Sequence, residues 1–277
     1  MTRAAARRVW GMMYRHLALY RRSWPRLLEL AYWPVLQMCI WGFTASYMAG
    51  RMGAGLASGV GAPGAGALAA AALLGGVLLW EVALRSQMGV AISFMEEMWS
   101  RNLGHVFVSP VRPRELVGAL ILISVIRMAA GVLPAILVAW LLYAYNLFAM
   151  GPIVVLFFIN LMIMGWAVAL GVVSLILRHG AGAEALAWSV LFGLTPFSAV
   201  FYPVAVLPHA LQPIALALPS AHVFEGMRGI LLNGVVRWDH LIAAFALNAV
   251  WVAGAALLFA RQFRQARLRG ALLSIGE

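Results

Sequence analysis

An all-α integral membrane protein with six transmembrane helices is the fold class this sequence predicts, and three observations predict it. Of its 277 residues, 64% are hydrophobic and only 10% charged, and the mean hydropathy is +0.91, far outside the composition of a soluble domain. The apolar runs are continuous rather than alternating, which selects helices over a β-barrel. All 20 basic residues are arginine, and most of them lie at the ends of the apolar runs, where topology signals lie.

The first element, residues 1–26, reads as an interfacial amphipathic helix. Trp10, Met13, Leu17, Tyr20 and Trp24 recur at three- and four-residue spacing and share one face, while Arg8, Arg15 and Arg22 fall opposite. Such a helix is expected to lie in the headgroup plane with its arginines toward anionic lipid or a docked protein. No short apolar core precedes a small-residue cleavage site, so a cleavable signal peptide is not expected here. Pro25 marks the corner before the first span.

Crossing about 30 Å of hydrocarbon takes about 20 apolar residues. Spans are expected at about 30–49, 68–95, 116–142, 153–177, 185–206 and 241–260. A Gly-rich exit loop, 51–66, follows the first. Residues 128–177 carry no charge and are too long for one span, so Tyr143 to Asn146 and Gly151-Pro152 are assigned to an interfacial belt and a turn. The cytoplasm is assigned to both termini: fifteen arginines then lie inside against Arg51, Arg228 and Arg237 outside.

Three groups of residues are candidates for function. A polar loop, 96–115, joins the second and third spans; Pro110 and Pro113 stiffen it, and Glu96, Glu97, Arg101, Arg112, Arg114 and Glu115 crowd around Ser109. It reads either as an ordinary solvated loop or as a rigid element that passes a push from a soluble partner to the spans. From Thr195 to Leu232, Pro196, Pro203, Pro208, Pro213 and Pro219 forbid a straight helix. Short re-entrant or interfacial helices are expected at 207–240, either a cap over the bundle or an exit gate, with Glu225 and Arg228 three residues apart. Inside the spans lie Glu81, Arg85 and Arg127. Glu81 and Arg85 are four apart and share a helix face; the three charges either brace the bundle or line a substrate path.

Several chemistries are excluded or unsupported. Without lysine the chain cannot carry a Walker-type phosphate loop. The single cysteine, Cys39, permits no internal disulfide and no cysteine metal cluster, and the six histidines are too scattered to propose a ligand set, so no metal site is expected. No catalytic residue and no nucleic-acid partner are expected.

Glu96-Glu97, then Val108-Ser109-Pro110-Val111 and Glu115, form one motif. Phe201-Tyr202-Pro203, Leu207-Pro208, Leu211-Gln212-Pro213-Ile214, Leu218-Pro219-Ser220-Ala221-His222 and Arg228 form another. On these motifs the whole chain resembles the permease subunits of the ABC type-2 transporter family, in the branch holding lipo-oligosaccharide, polysaccharide and drug exporters. It departs from the pattern in its Gly/Ala-rich first outer loop and in the Glu81/Arg85 pair.

The resemblance implies a single permease domain over 1–277, paired with a second copy in a bacterial inner membrane among its lipids. It exports a lipid-like, glycan-lipid or drug-like substrate. A separate ATP-binding-cassette ATPase uses ATP and Mg, and this chain binds no cofactor. Arg8 and Arg15, with Glu96, Glu97, Arg101, Ser109, Pro110, Arg112 and Glu115, become the ATPase-coupling surface. Tyr202, Pro203, Pro208, Pro219, His222 and Arg228 become an extracytoplasmic gate, and 261–277 a cytoplasmic tail. Two rival readings stay open: a membrane-embedded lipid- or glycan-modifying enzyme using His222 and Glu225, and a proton-coupled carrier using Glu81.

Overall fold

The computed structural model describes residues 3–22, 24–57, 64–100 and 111–268. Nine α-helices appear among them: α1 (Arg3–Arg22), α2 (Trp24–Ala57), α3 (Ala65–Trp99), α4 (Pro113–Tyr143), α5 (Ile153–His179), α6 (Leu186–Leu194), α7 (Gln212–Leu216), α8 (Pro219–Asn233) and α9 (Trp238–Leu268).

Local chemistry sets the boundaries. Pro113 opens α4 at a position where a missing N–H costs nothing, and the Glu115 carboxylate accepts the orphan N–H of Arg112 at 3.0 Å. Ala144, in the left-handed region at φ 51°, ends that helix. Asn146 then caps a short 3-10 turn by accepting from the Phe148 N–H at 3.0 Å, and Gly151 (φ 80°) turns the chain into α5.

Four helices are long and apolar enough to cross a membrane among the described residues: 66–99, 113–143, 153–179 and 238–268. Helix α2 has the length, at 34 residues. Tyr32, Trp33, Pro34, Gln37, Trp41 and Tyr47 dilute its hydropathy below that of the four. The span expected at 185–206 takes a different form. Its apolar helix runs only from Leu186 to Phe197 including a 3-10 turn, about 18 Å at 1.5 Å per residue and short of the hydrocarbon thickness. Pro196 stops it, and residues 198–211 follow as an irregular strap.

The polar loop is also shorter than its expected bounds of 96–115. Glu96 and Glu97 lie in the last turn of α3 and Glu115 in the first turn of α4. Arg101, Ser109 and Pro110 lie outside the described residues. Past the sixth expected span, α9 continues to Leu268, well into the expected tail.

Helix α3 is the hub, packed against α2, α4 and α5, while α9 lies on the far side of α5. Leu78, Leu79, Val82, Ala83, Val90 and Ala91 of α3 are fully buried or nearly so. In lipid no hydrophobic force joins helices, so small residues and polar pairs do it. A Cβ on Gly165 of α5 would stand 2.6 Å from the Ala83 carbonyl oxygen, and one on Gly89 of α3 would stand 2.7 Å from Ser124 Cβ. Trp166 donates to Ser124 Oγ at 2.7 Å, Gln87 to the Ala187 carbonyl at 2.9 Å, and Asn248 of α9 to both oxygens of Asn160 at 2.9 and 2.8 Å.

A side chain at Gly165 has backbone rather than a flexible tip to displace. Gly165→Val is expected to destabilise the bundle by about 1–3 kcal/mol, the usual cost of overpacking, seen as a lower melting temperature in detergent. An unchanged melting temperature would show that the α3–α5 contact is looser than described.

Candidate functional site

Charged side chains collect where α1 meets the end of α3 and the start of α4. Helix α1 turns Arg8 and Arg15 toward the bundle rather than outward as its Trp10 face suggested. Ala5, Val9, Met13 and His16 are buried against the bundle, whereas Trp10 and Tyr14 are 59% and 62% exposed. The reason is electrostatic. Glu97 and Glu115 are buried to 2% and 4% exposure, and carboxylates so placed need cations.

Arg8 answers Glu115 with a two-pronged bond, Nε to Oε2 at 2.8 Å and Nη2 to Oε1 at 2.6 Å. Arg15 donates to Glu97 through a very short contact. His16, 1% exposed, lies between two carboxylates, with Nε2 3.2 Å from Glu97 and Nδ1 3.5 Å from Glu96. Burial alone would lower the pKa of this imidazole, but the two glutamates outweigh it and raise it above the ordinary 6.5. Arg127 of α4 reaches into the same cluster, 3.1 Å from Ser93 Oγ and 3.5 Å from Glu96. Arg112 is exposed.

Three cavities follow one another along one face of α3, starting at this cluster, and together they are termed the furrow. Its first cavity, about 270 Å³, is lined by Glu29, Trp33, Arg85, Glu96, Arg127 and Trp188, among others. The second, about 370 Å³, lies against Gln37, Trp41, Trp80, Glu81, Phe192 and Tyr202. A third, about 540 Å³, is walled by Trp41, Met48, Leu73, Phe201, Pro203 and Arg228. Between the first two, Arg85 Nε donates to Glu81 Oε2 at 3.0 Å within α3; the Glu81 side chain is 4% exposed.

At the other end the strap is fastened by α8. The Glu225 carboxylate accepts from the Val204 N–H at 2.7 Å and from Arg228 at 3.2 Å. Arg228 also donates to the carbonyl of Ala199 at 2.8 Å, a residue in the left-handed region at φ 60°. Burial pushes the Arg228 pKa down and Glu225 opposes the shift. Tyr202 donates to the Pro196 carbonyl at 2.6 Å, and Phe201 stacks on Trp41 of α2 with centroids 4.6 Å apart. Pro203 starts the 3-10 turn Val204–Val206, Pro208 precedes α7, and Pro219 opens α8. His222 faces His240 of α9 at 3.0 Å.

The structure thus joins Arg8, Arg15, Glu96, Glu97, Glu115 and Arg127 in one neighbourhood, and Tyr202, Pro203 and Arg228 in another; Glu81 and Arg85 lie on the furrow between. Sequence reasoning missed His16 and the aromatic lining. Ala5, Val9, Met13 and His16 do share a 3.6-residue period, but the larger Trp10 series masked it.

Residues 7–232 match the model of the ABC-2 type transporter membrane family. No curated protein matches the chain.

The raised pKa of His16 fixes the sign of a pH effect. The protonated ring's contribution to holding α1 is complete below pH 6.5 and is lost as pH rises through the elevated folded-state value. Hydrogen-exchange protection of α1, corrected for intrinsic rates, is expected to fall between about pH 6 and about pH 9, and His16→Gln to flatten that profile. Equal protection at both pH values in the parent protein would rule out a charged His16 as part of the fastening.

Proposed function

The chain belongs to the ABC-2 type transporter family and is the permease subunit of an ABC transporter; on that premise we propose that it exports an amphiphilic cargo, lipid-like, glycan-lipid or drug-like, along the furrow of α3. The observation that supports this reading is the succession of three cavities along one face of a 35-residue helix. Their walls are mainly aromatic and aliphatic, with the Glu81–Arg85 pair part-way along. Such a lining suits a molecule with both an apolar body and a polar group.

In this reading six passes are completed by α2 and by α6 together with its strap, and both termini face the cytoplasm of a bacterial inner membrane. The exposed Tyr32, Trp33, Phe43 and Tyr47 of α2 receive a second copy of the chain. The strap, with Tyr202, Pro203, Pro208, Pro219, His222 and Arg228 around it, acts as the outer gate.

A separate ATPase subunit, using ATP and Mg, grips the inner end; this chain hydrolyses nothing. The outward Trp10 and Tyr14 of α1, with Arg112 and the 101–110 segment that carries Arg101, Ser109 and Pro110, form its seat. Arg8, Arg15, Glu97 and Glu115 are engaged with one another, so their role is transmission: a displacement of α1 pulls on α3 and α4 through them. Glu96 and Arg127 line the first cavity, and movement of α1 changes the inner mouth of the furrow. An ATPase stroke accomplishes transport only if the permease has two packings that differ in contact with it.

Two measurements test this. Trp10→Ala with Tyr14→Ala is expected to cut ATPase co-purification about tenfold, as loss of aromatic anchors does at interfaces, while the permease stays monodisperse; undiminished co-purification would remove α1 from the seat. Gln37→Trp, which fills the middle cavity, is expected to abolish cargo-stimulated ATP hydrolysis in proteoliposomes without releasing the ATPase. Full stimulation in that variant would mean the cargo travels elsewhere.

A further inference from the structure

We infer that His222 and His240 form a binding site for a divalent transition-metal ion of the zinc or copper class at the corner where α7, α8 and α9 meet. No metal was expected from the residue pattern, because 18 residues separate the two histidines. The fold brings them together from the first turn of α8 and the first turn of α9.

The argument rests on which ring nitrogens are committed. His222 Nε2 lies 2.9 Å from the carbonyl oxygen of Leu216. A carbonyl only accepts, so this nitrogen carries the proton and His222 Nδ1 keeps its lone pair. On the other ring, His240 Nε2 lies 4.0 Å from the Asp239 carboxylate, beyond hydrogen-bond reach, so this contact does not hold a proton on Nε2. The two Nδ1 atoms then converge at 3.0 Å.

A proton on His240 Nδ1 bridges the pair when no metal is present, and an ion that displaces it finds both nitrogens already facing it. Nitrogen ligands at 2.0–2.1 Å from a tetrahedral zinc stand about 3.3 Å apart, within a few tenths of an ångström of this separation. A backbone carbonyl on the outer N–H, as His222 has from Leu216, is also how metal-binding imidazoles are commonly held.

The surroundings permit a cation. Both rings are partly exposed, and the charges nearby are matched: Arg237 holds Asp239 through bonds of 3.0 and 2.7 Å, and Arg228 pairs with Glu225 at 3.2 Å. No third histidine, cysteine or carboxylate completes a ligand set among the described residues; water fills the remaining positions. Bound there, the ion ties α8, which fastens the strap, to α9.

The test uses the full chain, untagged, in detergent and stripped with chelator. Titration calorimetry with Zn²⁺ is expected to show saturable uptake of one ion per chain. His222→Gln and His240→Gln are each expected to weaken it at least about tenfold, and His179→Ala, at the far end of α5, to leave it unchanged. Because a glutamine variant can perturb folding, the parent protein is also loaded with Cu²⁺. Its electron paramagnetic resonance spectrum is expected to show superhyperfine coupling to two imidazole nitrogens. Absence of saturable uptake by the parent, uptake indifferent to both glutamine variants, or coupling to fewer than two nitrogens each overturns the site and leaves the pair sharing a proton.

Discussion

A carboxylate removed from water must find a cation, and the inner architecture of this permease follows from that constraint. Glu97 and Glu115 stand on two different helices at nearly complete burial. Neither is tolerable there without α1, whose Arg8, Arg15 and His16 supply the missing charge. Breaking one partner of a buried pair costs far more than the pair contributes, because the remaining charge is left uncompensated. The interfacial helix is therefore part of the bundle electrostatically even though it crosses nothing. Arg127 extends the same network into α4, so a surface element and the wall of the first cavity share one set of charges.

Within the bundle the problem is the reverse: there is little charge, and lipid gives helices no reason to associate. Contact is made where side chains are small or amide-bearing. Gly165 and Gly89 let α5 and α4 approach the backbone of α3. The Asn160–Asn248 bonds hold α9, the most lipid-exposed of the four apolar helices, of whose best window only 22% is buried. Along the face of α3 that carries the cavities, Trp33, Trp41, Trp80 and Phe201 stand in the walls and the furrow remains between the helices.

Much of the helical layout was legible in the chain. Continuous apolar runs, the Gly151-Pro152 turn and the proline-broken stretch all depend on local backbone chemistry, and local chemistry is written in sequence. The limits of Glu96 and Glu97 were misread because charge in a membrane protein suggests a loop, whereas both are helical and Glu97 is buried against Arg15, 82 residues away. The direction of α1 was misread for a related reason. Trp10 and Tyr14 outweigh Val9 and His16 in any hydrophobic tally, but packing against buried carboxylates decided the face. The encounter of His222 with His240 depends on how α8 turns into α9 at Gly234, and no spacing rule announces it.

The strap after Pro196 has one more property. Its Ala199 carbonyl and Val204 amide are served by Arg228 and Glu225, and those two residues also hold each other. When either pin is drawn, one backbone group loses its partner and the remaining pin loses the countercharge that steadies it. Loosening at Ala199 is in consequence felt at Val204, and the reverse, so the two ends of this segment are coupled through one ion pair.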